Sequence, residues 1–404
     1  INYGAINGTG SLTLIAANNL VVEANNTISN NQQPGSSLNV SLLANGSVQL
    51  QGNVAVDTNG GNFTVVTGPR GDALAATTGR DVLLGDGFNG GTFISTGAGA
   101  ISITAEGQIS LGGASLNTGD TGSISLNGGR GIQAGGNLIS SLDGGAVTLT
   151  SLQGIGLGNT GISGLNGVTV TGNANEANQQ SLSIGSVTAS RGDITITNQG
   201  NGSISTLELV AGSTENVQGN ISVFAGDVSV SNAVTVGNPV QQTPQLSLGN
   251  ISAQGNVTLI AGTGSVSTSG GNIAAGVSAG TLSTAVAGDI IVSAASGSIN
   301  LNDLLSNADD NGDDGQDDNF GRLQLLSGNS LFVNNLAFSQ GPRTLSARSI
   351  AITTLGAGEG SLLDAGLLNL VATGSEGIAL NVFAGIDLSG LDQDDNLAVG
   401  SLTA

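Results

Sequence analysis

The residues best suited to chemistry form one acidic run. Asp303, Asp309, Asp310, Asp313, Asp314, Asp317 and Asp318 fall in one short stretch, interleaved with Asn307, Asn311, Gly312 and Gly315. A calcium ion takes about six to eight oxygen ligands from a flexible backbone that Gly can kink. Asn307, Asp309, Asn311, Gly312 and Asp318 fall at positions 1, 3, 5, 6 and 12 of an EF-hand-like loop. Asn stands first where Asp is usual, and Asp stands last where a bidentate Glu is usual. The candidate Ca2+ ligands are therefore Asn307, Asp309, Asn311, Asp313, Asp314, Asp317 and Asp318. The plainer alternative is a solvated acidic loop, although so many like charges repel one another without a counterion. A shorter run, Asp392-Gln-Asp-Asp-Asn396, echoes it.

Arg-Gly-Asp occurs twice, at Arg70-Gly71-Asp72 and Arg191-Gly192-Asp193. On a loop the tripeptide can engage a cell-surface receptor. The first copy follows Pro69 and is the candidate receptor motif. The second opens a strand, so its Asp193 is expected to serve the repeat. Asn-x-Ser/Thr triplets such as Asn45-Gly-Ser47 and Asn62-Phe-Thr64 arise by chance in a chain this rich in Asn, Ser and Thr.

Other chemistry is absent. The 404 residues contain no Cys, Met, Trp or His, and all seven cations are Arg. That removes thiolate sites, the commonest general base, and Schiff-base or phosphate-loop lysine chemistry. Carboxylates outside the run are scattered, and with 2% aromatic residues there are no ring platforms for sugars. We expect no enzyme; a polysaccharide-active β-helix enzyme is the minor alternative. A net charge of −21 opposes binding to nucleic acid or anionic membranes. No apolar stretch approaches the length of a membrane helix, so membrane insertion is not expected.

The element that must carry these residues is a repeat. Gly99-Ala-Ile-Ser-Ile-Thr104, Gly122-Ser-Ile-Ser-Leu-Asn127 and Gly145-Ala-Val-Thr-Leu-Thr150 recur at intervals of 23, and Val168-Thr-Val-Thr171 follows 21 later. Each strand has a partner eight positions on: Ile109 after Ile101, Ile132 after Ile124, Ile155 after Val147. Period-two alternation marks strands. Strands this short bury too little to stand alone, but stacked coils bury one continuous aliphatic axis. The fold class is all-β: a right-handed parallel β-helix (β-solenoid) of about 20–25 residues per coil with loop insertions. Few aromatics argue against a sandwich or propeller. Phe63, Phe93, Phe224, Phe332, Phe338 and Phe383 are expected to stack inside the coil.

We expect one continuous β-solenoid over 1–404, with loops near 29–37, 172–180, 237–245 and 302–322. Neither end reads as a cap. The chain begins at Ile1 without a charged leader, which suggests a mature or trimmed piece. Missing Cys, Met, Trp, His and Lys, with an acidic balance, suggest secretion.

Gly192-Asp-Ile-Thr-Ile196, Gly219-Asn-Ile-Ser-Val223 and Gly255-Asn-Val-Thr-Leu259 give the repeat its style. It resembles the filamentous-haemagglutinin-type exoproteins of bacterial two-partner secretion, over most of the chain. The family's amino-terminal secretion domain is not evident. The resemblance implies a right-handed β-helix at the bacterial cell surface, with roles in adhesion or biofilm matrix. The expected function is the rigid rod of a surface adhesin or matrix fibre. The alternative is a filament subunit polymerising end to end through uncapped β-helix edges. Expected partners are other copies of the chain or adjoining domains of a longer exoprotein, with a surface receptor or glycan as a further candidate.

Overall fold

The structure is a computed structural model. It describes residues 8–30, 35–69, 79–85, 91–119, 121–135, 138–141, 145–174, 180–199, 202–212, 219–225, 227–231, 251–253, 256–262, 264–269, 272–275, 277–278, 281–282, 289–306, 322–338, 343–356, 368–380 and 401–403. Among them there is no helix, and nearly every strand pairing is parallel. The fold is a parallel β-helix. The chain divides into two compact units, 1–190 with 195–202, and 191–194 with 203–404.

In the first unit each coil has three faces. The first face stacks Thr9–Ala16, Ser37–Ala44, Phe63–Thr67, Ile101–Ala105, Ile124–Gly128, Val147–Ser151 and Val168–Gly172. One inward column therefore runs Leu12, Val40, Phe63, Ile101, Ile124, Val147 and Val168, each in register with the next. The second face stacks Leu20, Val48, Val82, Ile109, Ile132, Ile155 and Leu182. The third stacks Ile28, Val56, Ile94, Leu116, Ile139, Ile162 and Val187. These side chains are buried. Each buried aliphatic contributes about 1.5–3 kcal/mol, and like stacks on like because parallel strands hold one register.

Coil length is near constant only where Ile101, Ile124, Val147 and Val168 follow one another in the column. The turn from Phe63 to Ile101 is much longer. Residues 70–78 and 86–90 of it lie outside the described residues, and the strands on either side keep their register with the neighbouring coils. Residues 302–306 of the expected loop at 302–322 belong instead to the strand Ile299–Ser306, and 307–321 lie outside the described residues. The expected loop at 237–245 lies outside the described residues.

In the second unit, Ile221, Val257, Ile290 and Leu323 form the matching column, and its coils are longer than the regular ones of the first unit. Further on the coils shorten, so that Leu331 already meets Ile350. There the corners straighten into long strands, Arg343–Gly356 and Leu368–Leu380, with a register shift between Ala347 and Ser349.

Two corner devices let the coils approach. Asn25 and Asn53 take positive φ of 62° and 58° at equivalent corners, and Asn53 Nδ2 donates to Asn25 Oδ1 at 3.1 Å. On the first face a glycine lies just before each of four strands, at Gly61, Gly99, Gly122 and Gly145. A methyl group on Gly99 would land on the Gly61 carbonyl, on Gly122 it would strike the Gly99 carbonyl, and on Gly145 the Gly122 carbonyl.

The Phe expectation holds in part. Phe63 is fully buried, but Phe93, Phe224 and Phe332 are 48%, 36% and 40% exposed. Their strands explain it. In Ile221–Ala225 the inward residues are Ile221 and Val223, so Phe224 must point outward. The side chains of Phe338 and Phe383 lie outside the described residues.

Candidate functional site

All the candidate site residues from the sequence, Asn307, Asp309, Asn311, Asp313, Asp314, Asp317 and Asp318, lie outside the described residues. So do Arg70, Gly71 and Asp72. Asp303 is in the strand Ile299–Ser306, in register with Asn272 and Asn335. Among the described residues no three His, Cys, Asp or Glu side chains converge as a metal group would need. No helix of the described residues is long and apolar enough to cross a membrane.

What the structure does bring together is a column of side-chain acceptors just before the first-face strands. In the second unit, the N–H of each first inward residue donates to the following coil: Ile194 to Asn220 O, Ile221 to Asn256 O, Val257 to Asp289 O, Ile290 to Arg322 O, all at 2.8–2.9 Å. In a parallel ladder alternate residues address opposite neighbours. The residue before it therefore points its N–H at the preceding coil, where a side chain is the acceptor. Asn220 N donates to Asp193 Oδ1 at 2.8 Å, Asn256 N to Asn220 Oδ1 at 2.9 Å, Asp289 N to Asn256 Oδ1 at 2.8 Å, and Arg322 N to Asp289 Oδ1 at 2.7 Å. This gives the Gly-Asp/Asn-Ile/Val-Thr/Ser style a physical cause. Asp193, from the second Arg-Gly-Asp, is the first acceptor of the column, and Asn220 Nδ2 donates to it as well.

The Arg322 guanidinium also meets Asp289 Oδ2, at 3.4 Å, with both side chains partly exposed.

The first unit repeats the device. Asn39 Oδ1 accepts from Asn62 N, and Asn62 Oδ1 from Ala100 N, both at 2.9 Å. On the second face the sequence is Asn19, Ser47, Asp81 and Gln108, with side-chain acceptors at 2.8, 3.1 and 2.7 Å. The triplets at Asn39, Asn62, Asn220 and Asn256 are thus by-products of the ladder.

Buried polar groups cluster at the corners. Thr58, Thr96 and Thr118 are fully buried, and their hydroxyls donate to the carbonyls of Gly61, Gly99 and Gly122. One ion pair is sheltered. Glu106 bonds to Arg80, with side chains 7% and 33% exposed. A side chain on Gly68 would fill the space that Glu106 occupies. Asn173, wholly buried at positive φ, shares the Gln180 carbonyl with Asn198.

Among the described residues these arrangements hold backbone to backbone between and within coils. No family model, curated protein or solved structure matches the chain.

Proposed function

We propose that the chain is an extracellular structural protein whose β-helix serves as the rigid rod of a bacterial surface adhesin or matrix fibre. The supporting observation is the register itself. Within each unit, aliphatic columns and Asx acceptor columns tie coil to coil by main-chain bonds, a design suited to bearing load. The repeat's likeness to haemagglutinin-type exoproteins points the same way. A surface receptor or glycan would engage the loops, including Arg70-Gly71-Asp72, and Ca2+ would clasp the acidic run at 307–318.

A second reading is a filament subunit that adds copies end to end. It is favoured by the same columns, since a coil from another molecule would meet the partners a coil meets within the chain. Electron microscopy of the native material, with and without a Ca2+ chelator, tests both. Isolated rods support the adhesin reading, and regular fibres support the filament. Globular particles without an extended axis would overturn both.

A further inference from the structure

An asparagine followed by glycine carries its own nucleophile. The main-chain nitrogen of the glycine can attack the asparagine Cγ and close a five-membered succinimide, because glycine has no side chain to hinder the approach. An N–H already held in a main-chain hydrogen bond must first give that bond up. Four Asn-Gly pairs lie wholly within the described residues: Asn45-Gly46, Asn59-Gly60, Asn127-Gly128 and Asn166-Gly167.

In three of the pairs the glycine is held. Gly46 N donates to Asn18 O at 2.9 Å, and Gly60 N to Thr96 O at 2.7 Å. Gly128 lies within the strand Ile124–Gly128, in register with Ser151 of the next coil. Gly167 is different. It stands just before the strand Val168–Gly172, one place ahead of the first inward residue. That is the place at which the N–H looks to the preceding coil for a side-chain acceptor. Val168 is in register with Val147, so the residue facing Gly167 is Ala146, which offers none. The Gly167 N–H accordingly has no hydrogen-bond partner among the described residues. Asn166 is exposed, so water reaches its amide. Gly167 has a φ of 129°, at which any bulkier and slower-reacting residue would be strained.

We propose that Asn166-Gly167 is a site of spontaneous deamidation, with water as the only co-reactant. Gly167 N bonds to Asn166 Cγ, and the amide nitrogen leaves as ammonia, taking the Gly167 proton with it. Water then opens the ring at either carbonyl. One opening leaves Asp, and the other leaves isoaspartate, whose main chain is longer by a methylene. The extra link falls where the corner is tied to the coil before it: Asn166 N donates to Gly145 O, and Gly167 O accepts from Val147 N, both at 3.1 Å. The first unit therefore ages from this corner. The site depends neither on the rod reading nor on the acidic run at 307–318.

The test is ageing of the full chain at mildly alkaline pH, with Asp and isoaspartate counted at each pair by tandem mass spectrometry. We expect Asn166 to convert on the order of tenfold faster than Asn45 or Asn59, the factor that one main-chain hydrogen bond supplies. In denaturant the pairs should react alike. Ala146→Asn puts an acceptor opposite the Gly167 N–H, as Asn220 does for Asn256 N. It should slow conversion at Asn166 while altering neither reacting residue. Asn166→Gln should abolish the signal at this position and leave those at Asn45 and Asn59 unchanged. The proposal is overturned if Asn166 in the folded chain converts no faster than Asn45 and Asn59, or if its lead persists in denaturant. It is equally overturned if Ala146→Asn leaves the rate at Asn166 as it was.

Discussion

The main-chain N–H of Asp289 donates to Oδ1 of Asn256, 2.8 Å away and one coil earlier. A side chain thereby does the work of a carbonyl where the coil turns its corner. Asn256→Ala leaves that N–H without its acceptor, which costs about 1–2 kcal/mol. Denaturant unfolding of the second unit measures it. An unchanged unfolding midpoint would show that water replaces the amide at no cost.

Glycine before the strand should be separable from glycine in general. Gly122→Ala and Gly145→Ala put a methyl group onto a carbonyl of the neighbouring coil. Each is expected to cost at least about 1–3 kcal/mol, the usual range for overpacking. Gly135→Ala meets nothing within 4 Å and should be near neutral. Equal effects in all three would refute the close-approach account.

The two ion pairs should behave differently. Arg80→Ala strands the carboxylate of Glu106 in a site only 7% exposed, and we expect a loss of about 1–3 kcal/mol. Arg322→Ala breaks a pair that water already screens, with a loss of about 0–1 kcal/mol. Thermal melts of both variants decide the order. If Arg322→Ala proves the more damaging, the pairs have been ranked wrongly.

Phenylalanine at two positions offers a further contrast. Phe63→Ala opens a cavity in the inward column and should cost about 3–5 kcal/mol. Phe93→Ala, nearly half exposed, should change stability by no more than about 0.5 kcal/mol. Comparable losses would mean that Phe93 is covered in solution.

Much of this fold is legible because period two and period 23 coincide between residues 99 and 171. There Ile101, Ile124 and Val147 predict their own stacking. Legibility fails where coil length varies. The acceptor pairs Asp193–Asn220, Asn220–Asn256 and Asn256–Asp289 are 27, 36 and 33 residues apart. No fixed interval connects them, so Asx before a strand reads as ordinary turn chemistry. Phe224 is misread for another reason. It alternates with inward Ile221 and Val223, and that phase already sets it outside; putting hydrophobicity ahead of position misplaces it. Ser140 could not have been singled out at all, because only its complete burial distinguishes it from other outward polar residues.

The acceptor column also has a direction. In both units the oxygen belongs to the earlier coil and the N–H to the later one, from Asn39 and Asn62 to Asp193 and Asp289. A chain that emerges from its amino end never waits for these oxygens. On the first face each finished turn holds out a contact for the turn that follows it, so winding there has a built-in sense of progress.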